Sequence, residues 1–241
     1  MNGIIIINKE KNWTSNDIVQ KLKGILHEKT GHTGTLDPLA TGVLPILIGK
    51  GTSLSKYLVN HDKEYIATIK LGEKTTTGDK EGEVIEKRPV TDEMFEIEKI
   101  KNVFDSFKGK QSQIPPMYSA IKVNGKKLYE LAREGKVVER KSRKVQIYDI
   151  RIKEMKLPRI RMEVSCSKGT YIRTLCNDVG EVLGVGGCME SLIRTRVSAF
   201  QIKDAKTLEE IGALKQEGML EEILVPIDEM FPLYPKITVK D

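Results

Sequence analysis

Asp37, Arg173, Tyr65 and His32 are the residues whose type and setting suit chemistry. Asp37 precedes Pro38, which drives its backbone toward an extended conformation. Around it Gly31, Gly34 and Gly42 permit tight turns. An Asp-Pro pair is also an ordinary turn signal, so both readings stay open from the residues alone. Arg173 follows Thr170, a residue able to cap a helix, by three positions. A cation in a first helical turn opposes the helix dipole by roughly 0.3–1 kcal/mol. It therefore seeks a carboxylate or a phosphate, unless it is simply solvated. Tyr65 opens a strand beside Lys63 and Glu64, as half-buried packing or as a functional ring. His32 fits a local hydrogen bond, a ligand contact or a general base.

The elements that must position these groups follow from periodicity. Residues 4–7 predict a core strand. Ile18, Val19, Leu22, Ile25 and Leu26 share one face of a helix over 16–27, with Thr14 or Ser15 as cap. Residues 30–42 hold three glycines and a proline without apolar periodicity, and loops this long inside domains are usually functional or disordered. A short helix is expected over 54–59. Tyr65, Ala67, Ile69 and Leu71 alternate as a strand, and 75–82 is a polar turn. The pattern Met94, Ile97, Ile100, Val103, Phe104 and Phe107 predicts one amphipathic helix over 92–107 capped by Thr91.

Beyond it, Pro115-Pro116 breaks any helix, Val123-Asn124-Gly125-Lys126 reads as a turn, and 127–133 as a short helix. Val145/Ile147 and Ile150/Ile152 alternate with a phase slip between the pairs, which predicts a β-bulge. Strands are expected at 160–166 and 192–200, and helices at 172–183 and 208–214. Strands and helices without regular βαβ alternation make the fold class α+β.

The formal charge is +6, unevenly spread. Residues 108–168 carry 17 Lys+Arg against 6 Asp+Glu, a net of +11, while the rest of the chain has a net of −5. A concentrated positive block is the footprint of a phosphate-backbone partner; a solvated lysine-rich surface is the alternative. No basic amphipathic helix with an aromatic apolar face suggests a membrane surface, and Gly3-Ile4-Ile5-Ile6-Ile7 is too short for a span or a signal segment. Cys166, Cys176 and Cys188 form no Cys-x-x-Cys pair and suggest buried thiols in a reducing cytoplasm. His27, His32 and His61 lack zinc-ligand spacing, so no metal site is expected. Gly49-Lys50-Gly51-Thr52-Ser53 is not a P-loop, and Gly184-Val185-Gly186-Gly187 is not placed as a dinucleotide loop.

The run Gly31-His32-Thr33-Gly34-Thr35-Leu36-Asp37-Pro38-Leu39-Ala40-Thr41-Gly42-Val43-Leu44-Pro45 resembles the signature loop of TruB-type tRNA pseudouridine-55 synthases. The resemblance continues through Lys63-Glu64-Tyr65, Leu71-Gly72, residues 75–82 and Pro115-Pro116-Met117-Tyr118-Ser119-Ala120. It closes on Cys166-Ser167-Lys168-Gly169-Thr170-Tyr171-Ile172-Arg173-Thr174-Leu175. These blocks stand in the family's order over nearly the whole chain. The resemblance implies a pseudouridine synthase fold: a central mixed, mainly antiparallel sheet with flanking helices and a basic RNA-clamping insertion at about 108–144.

It also implies roles. Asp37 is expected as the essential aspartate, Tyr65 as the tyrosine at the target base, and Arg173 as the arginine paired with the aspartate. His32 is expected to meet the T loop and Leu192 to line the pocket. Lys63, Arg140, Lys141, Arg143 and Lys144 are expected to contact RNA. Ser53 stands where the family commonly has lysine, so that position receives no role. One catalytic domain is expected over 1–227, and 228–241 as the start of a missing or truncated C-terminal PUA domain, with weaker acceptor-stem contact. The resemblance implies the T stem-loop of tRNA as partner, acted on by a monomer without protein partner, membrane or cofactor.

Pseudouridine formation breaks N1–C1′ and joins C5 to C1′, so nothing is oxidised. An ionised carboxylate can attack C6, attack C1′ or deprotonate C2′, and the residues do not choose among these. The competing reading is a non-catalytic tRNA-binding module or tRNA-folding chaperone, which would need no acid in the loop.

Overall fold

Alternating and continuous apolar runs become sheet strands, and the glycine-rich breaks between them become loops. The computed structural model describes residues 1–55 and 61–227. Most of the helix expected over 54–59, and the whole 228–241 tail, lie outside these. The described chain separates into two compact units, where one domain over 1–227 is expected. The first is Met1–His61 with the chain from Arg194 on, and the second is Asp62–Ile193.

In the first unit, β1 (Gly3–Lys9) pairs antiparallel with β3 (Thr41–Ile48), placing Ile5 opposite Ile46 and Lys9 opposite Gly42. The short β2 (Thr30–His32) lies on β3 with His32 opposite Ile46. Ile4, Ile6, Val43, Leu47, Val197 and Phe200 form one buried cluster, and burying each such side chain is worth about 1.5–3 kcal/mol. Helix α1 (Ser15–Leu26) starts with a full capping box, in which Thr14 and Asp17 exchange side-chain-to-backbone bonds.

The second unit has the strand order β4-β11-β10-β7. Here β4 is Lys63–Leu71, β7 Gly109–Gln113, β10 Arg143–Lys156 and β11 Arg159–Cys166. The alternation expected in β4 is strict: Lys63, Tyr65, Ala67, Ile69 and Leu71 all face inward. The phase slip in β10 is a register shift between Ile147 and Asp149, and a second follows between Ile152 and Glu154. Small hairpins, β5 (Glu73–Thr75) with β6 (Val84–Lys87) and β8 (Lys122–Val123) with β9 (Lys126–Lys127), complete this unit. Asn124 and Gly125 both have positive φ (51° and 85°), the requirement of a two-residue type I′ hairpin turn. Strand β12 (Gly187–Val197) runs through the unit boundary and returns as β13 (Phe200–Gln201). These strand pairs are antiparallel, and isolated parallel bridges join Ile7 to Lys206 and Asp79 to Met189. The fold is the expected mixed, mainly antiparallel α+β.

Two local expectations are corrected. The helix over 92–107 is broken: a 3₁₀ turn at Asp92–Met94 is followed by extended Phe95, and α2 spans only Ile97–Ser106. Phe95 takes the buried position, while Met94 and Ile97 are 46% and 62% exposed. Inserting Phe95 into the core outweighs the helical periodicity. The remaining helices are α3 (Leu128–Arg133), α4 (Ile172–Val182) and α5 (Leu208–Gln216), the last capped by Thr207. Thr170, however, does not cap α4; its hydroxyl donates to Ser167 O at 2.9 Å and the cap is Tyr171. All three cysteines are buried free thiols. No helix among the described residues is long and apolar enough to cross a membrane.

Candidate active site

In the first unit, Asp37 sits half-buried between β2 and β3. Its carbonyl accepts from Ala40 N at 3.0 Å, closing a turn across Pro38 and Leu39. Three further groups pin the neighbours of this turn. Ser15 Oγ accepts from Leu36 N (2.8 Å) and donates to Leu36 O (3.2 Å). Asn12 N donates to Pro38 O at 2.8 Å. Lys9, fully buried, donates through Nζ to Glu10 O (2.9 Å), Trp13 O (2.7 Å) and Pro38 O (3.4 Å). A buried charge is tolerated only when hydrogen-bonded or paired, and here backbone carbonyls solvate the ammonium.

Arg194, 1% exposed, is the fourth fastener. Its Nε donates to Val43 O (2.7 Å), Nη2 to Gly34 O (3.1 Å) and Nη1 to Thr35 O (3.5 Å). Gly42, at φ 101°, lies so close to the backbone of Arg194 that a Cβ there would meet the arginine's own carbonyl. His32 flanks the same loop. Burial first, and then the positive charge of Arg194, keep its imidazole neutral to lower pH than an ordinary histidine. Among the described residues, neither His32 Nδ1 nor Thr33 Oγ1 has a hydrogen-bond partner.

In the second unit, Tyr65 is buried on β4 opposite Val164, and Lys63 is buried two residues earlier opposite Cys166. Arg173 occupies the first turn of α4 and is 5% exposed. The carboxylate it seeks within this unit is Asp79, with Nε 3.8 Å from Oδ2. Its Nη1 donates to Thr77 O (3.1 Å) and its Nη2 to Tyr118 O (2.6 Å). Asp79 is itself oriented, accepting at Oδ1 from Thr77 Oγ1 (2.7 Å) and Glu81 N (3.1 Å). The start of α4 is fixed by the buried Gln113, whose Oε1 accepts from Tyr171 N at 3.0 Å and whose Nε2 donates to Tyr171 O at 3.4 Å. Leu192 is buried on β12.

The expected RNA contacts differ among themselves. Lys141, Arg143 and Lys144 are exposed, and among the described residues none has an acidic partner. Arg140 is half-buried and donates to Pro115 O at 3.1 Å, tying the basic run to the double-proline segment. Sequence reasoning assigned no site role to Lys9, Ser15, Asp79, Gln113 and Arg194, and read Ser15 only as a possible helix cap. Asp79 could have been noticed, as an acid within a matched turn block. The other four reach backbone groups 21 to 160 residues away, and such long-range bonds leave no local pattern. No group of three or more His, Cys, Asp or Glu among the described residues could hold a metal.

Residues 22–172 match the model of the TruB family pseudouridylate synthase N-terminal domain, and 173–232 that of the tRNA pseudouridylate synthase B C-terminal domain. The tRNA pseudouridine synthase B of Francisella tularensis subsp. novicida is 47% identical over 238 residues, covering 97% of this chain and 78% of the relative. A chain in the crystal structure of a Cbf5–Nop10–Gar1 complex superposes with TM-score 0.74 at 30% identity. That match covers 95% of this chain and 61% of the other. A chain in an H/ACA ribonucleoprotein bound to a substrate RNA containing 2′-deoxyuridine gives TM-score 0.71 at 26% identity, covering 95% of this chain and 60% of the other. The chain belongs to the TruB family of pseudouridylate synthases.

Proposed function

We propose that this chain converts uridine 55 in the T loop of tRNA to pseudouridine, with Asp37 as the reacting carboxylate. Family membership supplies the class of reaction, an intramolecular isomerisation. The N1–C1′ bond breaks, C5 bonds to C1′, the proton on C5 is lost and N1 gains one. The observation that carries the assignment of Asp37 is its place in the signature run, in a turn whose backbone is fixed from four sides. Such fixing holds a reacting group within the narrow geometry that catalysis rewards.

Tyr65 is the ring against the target base, a stacking contact worth roughly 1–3 kcal/mol. Arg173 is the active-site cation, pre-oriented by Thr77, Tyr118 and Asp79. His32 and Leu192 meet the T loop and the flipped base, whose extrusion costs a few kcal/mol. Lys141, Arg143 and Lys144 hold phosphates, joined in this reading by Lys63 and Arg140. The enzyme works as a cytoplasmic monomer and needs no cofactor, because no electrons or external groups move.

Release of tritium from tRNA carrying 5-tritiated uridine tests this directly. The wild-type protein should release tritium, and Asp37→Asn should lose at least about 1,000-fold while still binding tRNA. Equal release by both proteins would remove Asp37 from its role. Tyr65→Phe should keep binding but turn over more slowly; full activity would leave Tyr65 a packing residue.

A further inference from the structure

We infer that Arg194 is a positioning residue for the reaction, acting through the backbone on both sides of Asp37. The inference rests on the reading of Asp37 as the reacting group. Gly34 and Thr35 lie three and two residues before Asp37, and Val43 six residues after it. One guanidinium donates to the carbonyls of all three. The planar fork of arginine suits this task, because its N–H groups leave in fixed directions from one rigid body. The loop is thereby clamped to a strand 151–160 residues away in sequence. Ser15 holds Leu36 and Lys9 holds Pro38 of the same loop.

Two features argue against a merely space-filling role. A cation at 1% exposure could be replaced by an apolar side chain of similar volume at little or no cost in stability. Gly42 moreover accepts a left-handed backbone directly beside the arginine's own peptide, so β12 and the end of the Asp37 loop are pressed together at this residue. The positive charge also biases the neighbouring His32 toward its neutral form, which links a second loop residue to the same side chain.

The test is single-turnover tritium release by Arg194→Lys and Arg194→Met, at a temperature well below each variant's melting point, together with tRNA affinity. Lysine keeps the charge but cannot reach three carbonyls in a plane. Both variants should lose about 100-fold in the rate of the chemical step, with tRNA affinity within about threefold of wild type and lysine the milder change. Should Arg194→Met fail to fold, Arg194→Lys decides alone. A rate retained in the folded fraction, even with a lower melting point, would reduce Arg194 to a stability residue and overturn the inference. Weakened tRNA binding with an unchanged rate would overturn it too. If Asp37→Asn itself keeps full activity, the reading of Asp37 falls first, whatever Arg194 does.

Discussion

The loop around Asp37 and the basic stretch from Lys108 to Lys144 solve opposite problems. Around Asp37, the carbonyls of Gly34, Thr35, Pro38 and Val43 and both backbone groups of Leu36 meet buried side chains or a neighbouring backbone, and the Asp37 carbonyl meets Ala40 N. In the basic stretch, Lys141, Arg143 and Lys144 stand exposed and without an acidic partner among the described residues, and α3 has only six residues. Reacting atoms demand placement to a fraction of an ångström, which requires many fasteners. Phosphates demand only charge at an approximate distance, which long solvated side chains supply without packing. Exposure alone is not the criterion. Toward the turn of the β10–β11 hairpin four cations are also exposed but paired: Arg151 with Asp149 (2.5 Å), Lys153 with Glu163 (3.6 Å), Lys156 with Glu154 (2.7 Å) and Arg159 with Glu190 (2.9 Å).

The largest break in this contrast should come from Arg173→Met. It leaves the buried Asp79 without its cation, and removing one partner of a buried pair costs about 3–5 kcal/mol. Calorimetry should show a large fall in melting temperature, and tritium release should be lost even where the protein is folded. Neutralising Lys141, Arg143 and Lys144 together to glutamine should act quite differently. Each lost phosphate contact removes about 0.7–0.9 from the slope of log affinity against log salt. A titration series in salt should therefore show a slope shallower by about 2–3, a raised KM and an unchanged rate of the chemical step. An unchanged slope would move the RNA contacts elsewhere.

A smaller effect concerns acid. The His32 imidazole is held neutral by burial and by Arg194, so its folded pKa lies below the ordinary value of 6.5. Between those two values the unfolded chain binds more protons than the folded one, and stability is lost as pH falls through that window. His32→Gln should therefore show a weaker dependence of melting temperature on pH below about 6.5 than wild type. The smallest effect is expected from Lys153→Gln with Lys156→Gln. Exposed ion pairs contribute about 0–1 kcal/mol, and tRNA affinity should stay at the wild-type value in a filter-binding assay.

What was legible in the sequence follows the range of the interactions responsible. The inward alternation of β4, the register shift in β10 and the Asn124-Gly125 turn are written in neighbouring residues, and each was read correctly. The break at Phe95 was not, because only the surrounding core decides that a phenylalanine there outweighs a continuous helix. Thr170 looked like a cap for α4, yet Gln113, 58 residues away, binds the Tyr171 backbone instead. Asp37 and Arg173 stood out because a proline and a helix dipole make their types locally odd. Lys9 and Arg194 break no local rule. The carbonyls they hold, such as those of Pro38 and Val43, have no letter in the sequence.

The three buried cysteines have a practical consequence. Burial pushes Cys166 and Cys188 up to about 11, and Cys176 higher still, by desolvating the thiolate. Since the thiolate is the nucleophile, the folded protein should be almost inert to maleimides at neutral pH. A fourth cysteine placed at Lys141 would then be the single labelling point on an otherwise native chain. A fluorophore there could report the arrival of RNA at the basic stretch with every natural thiol left in place.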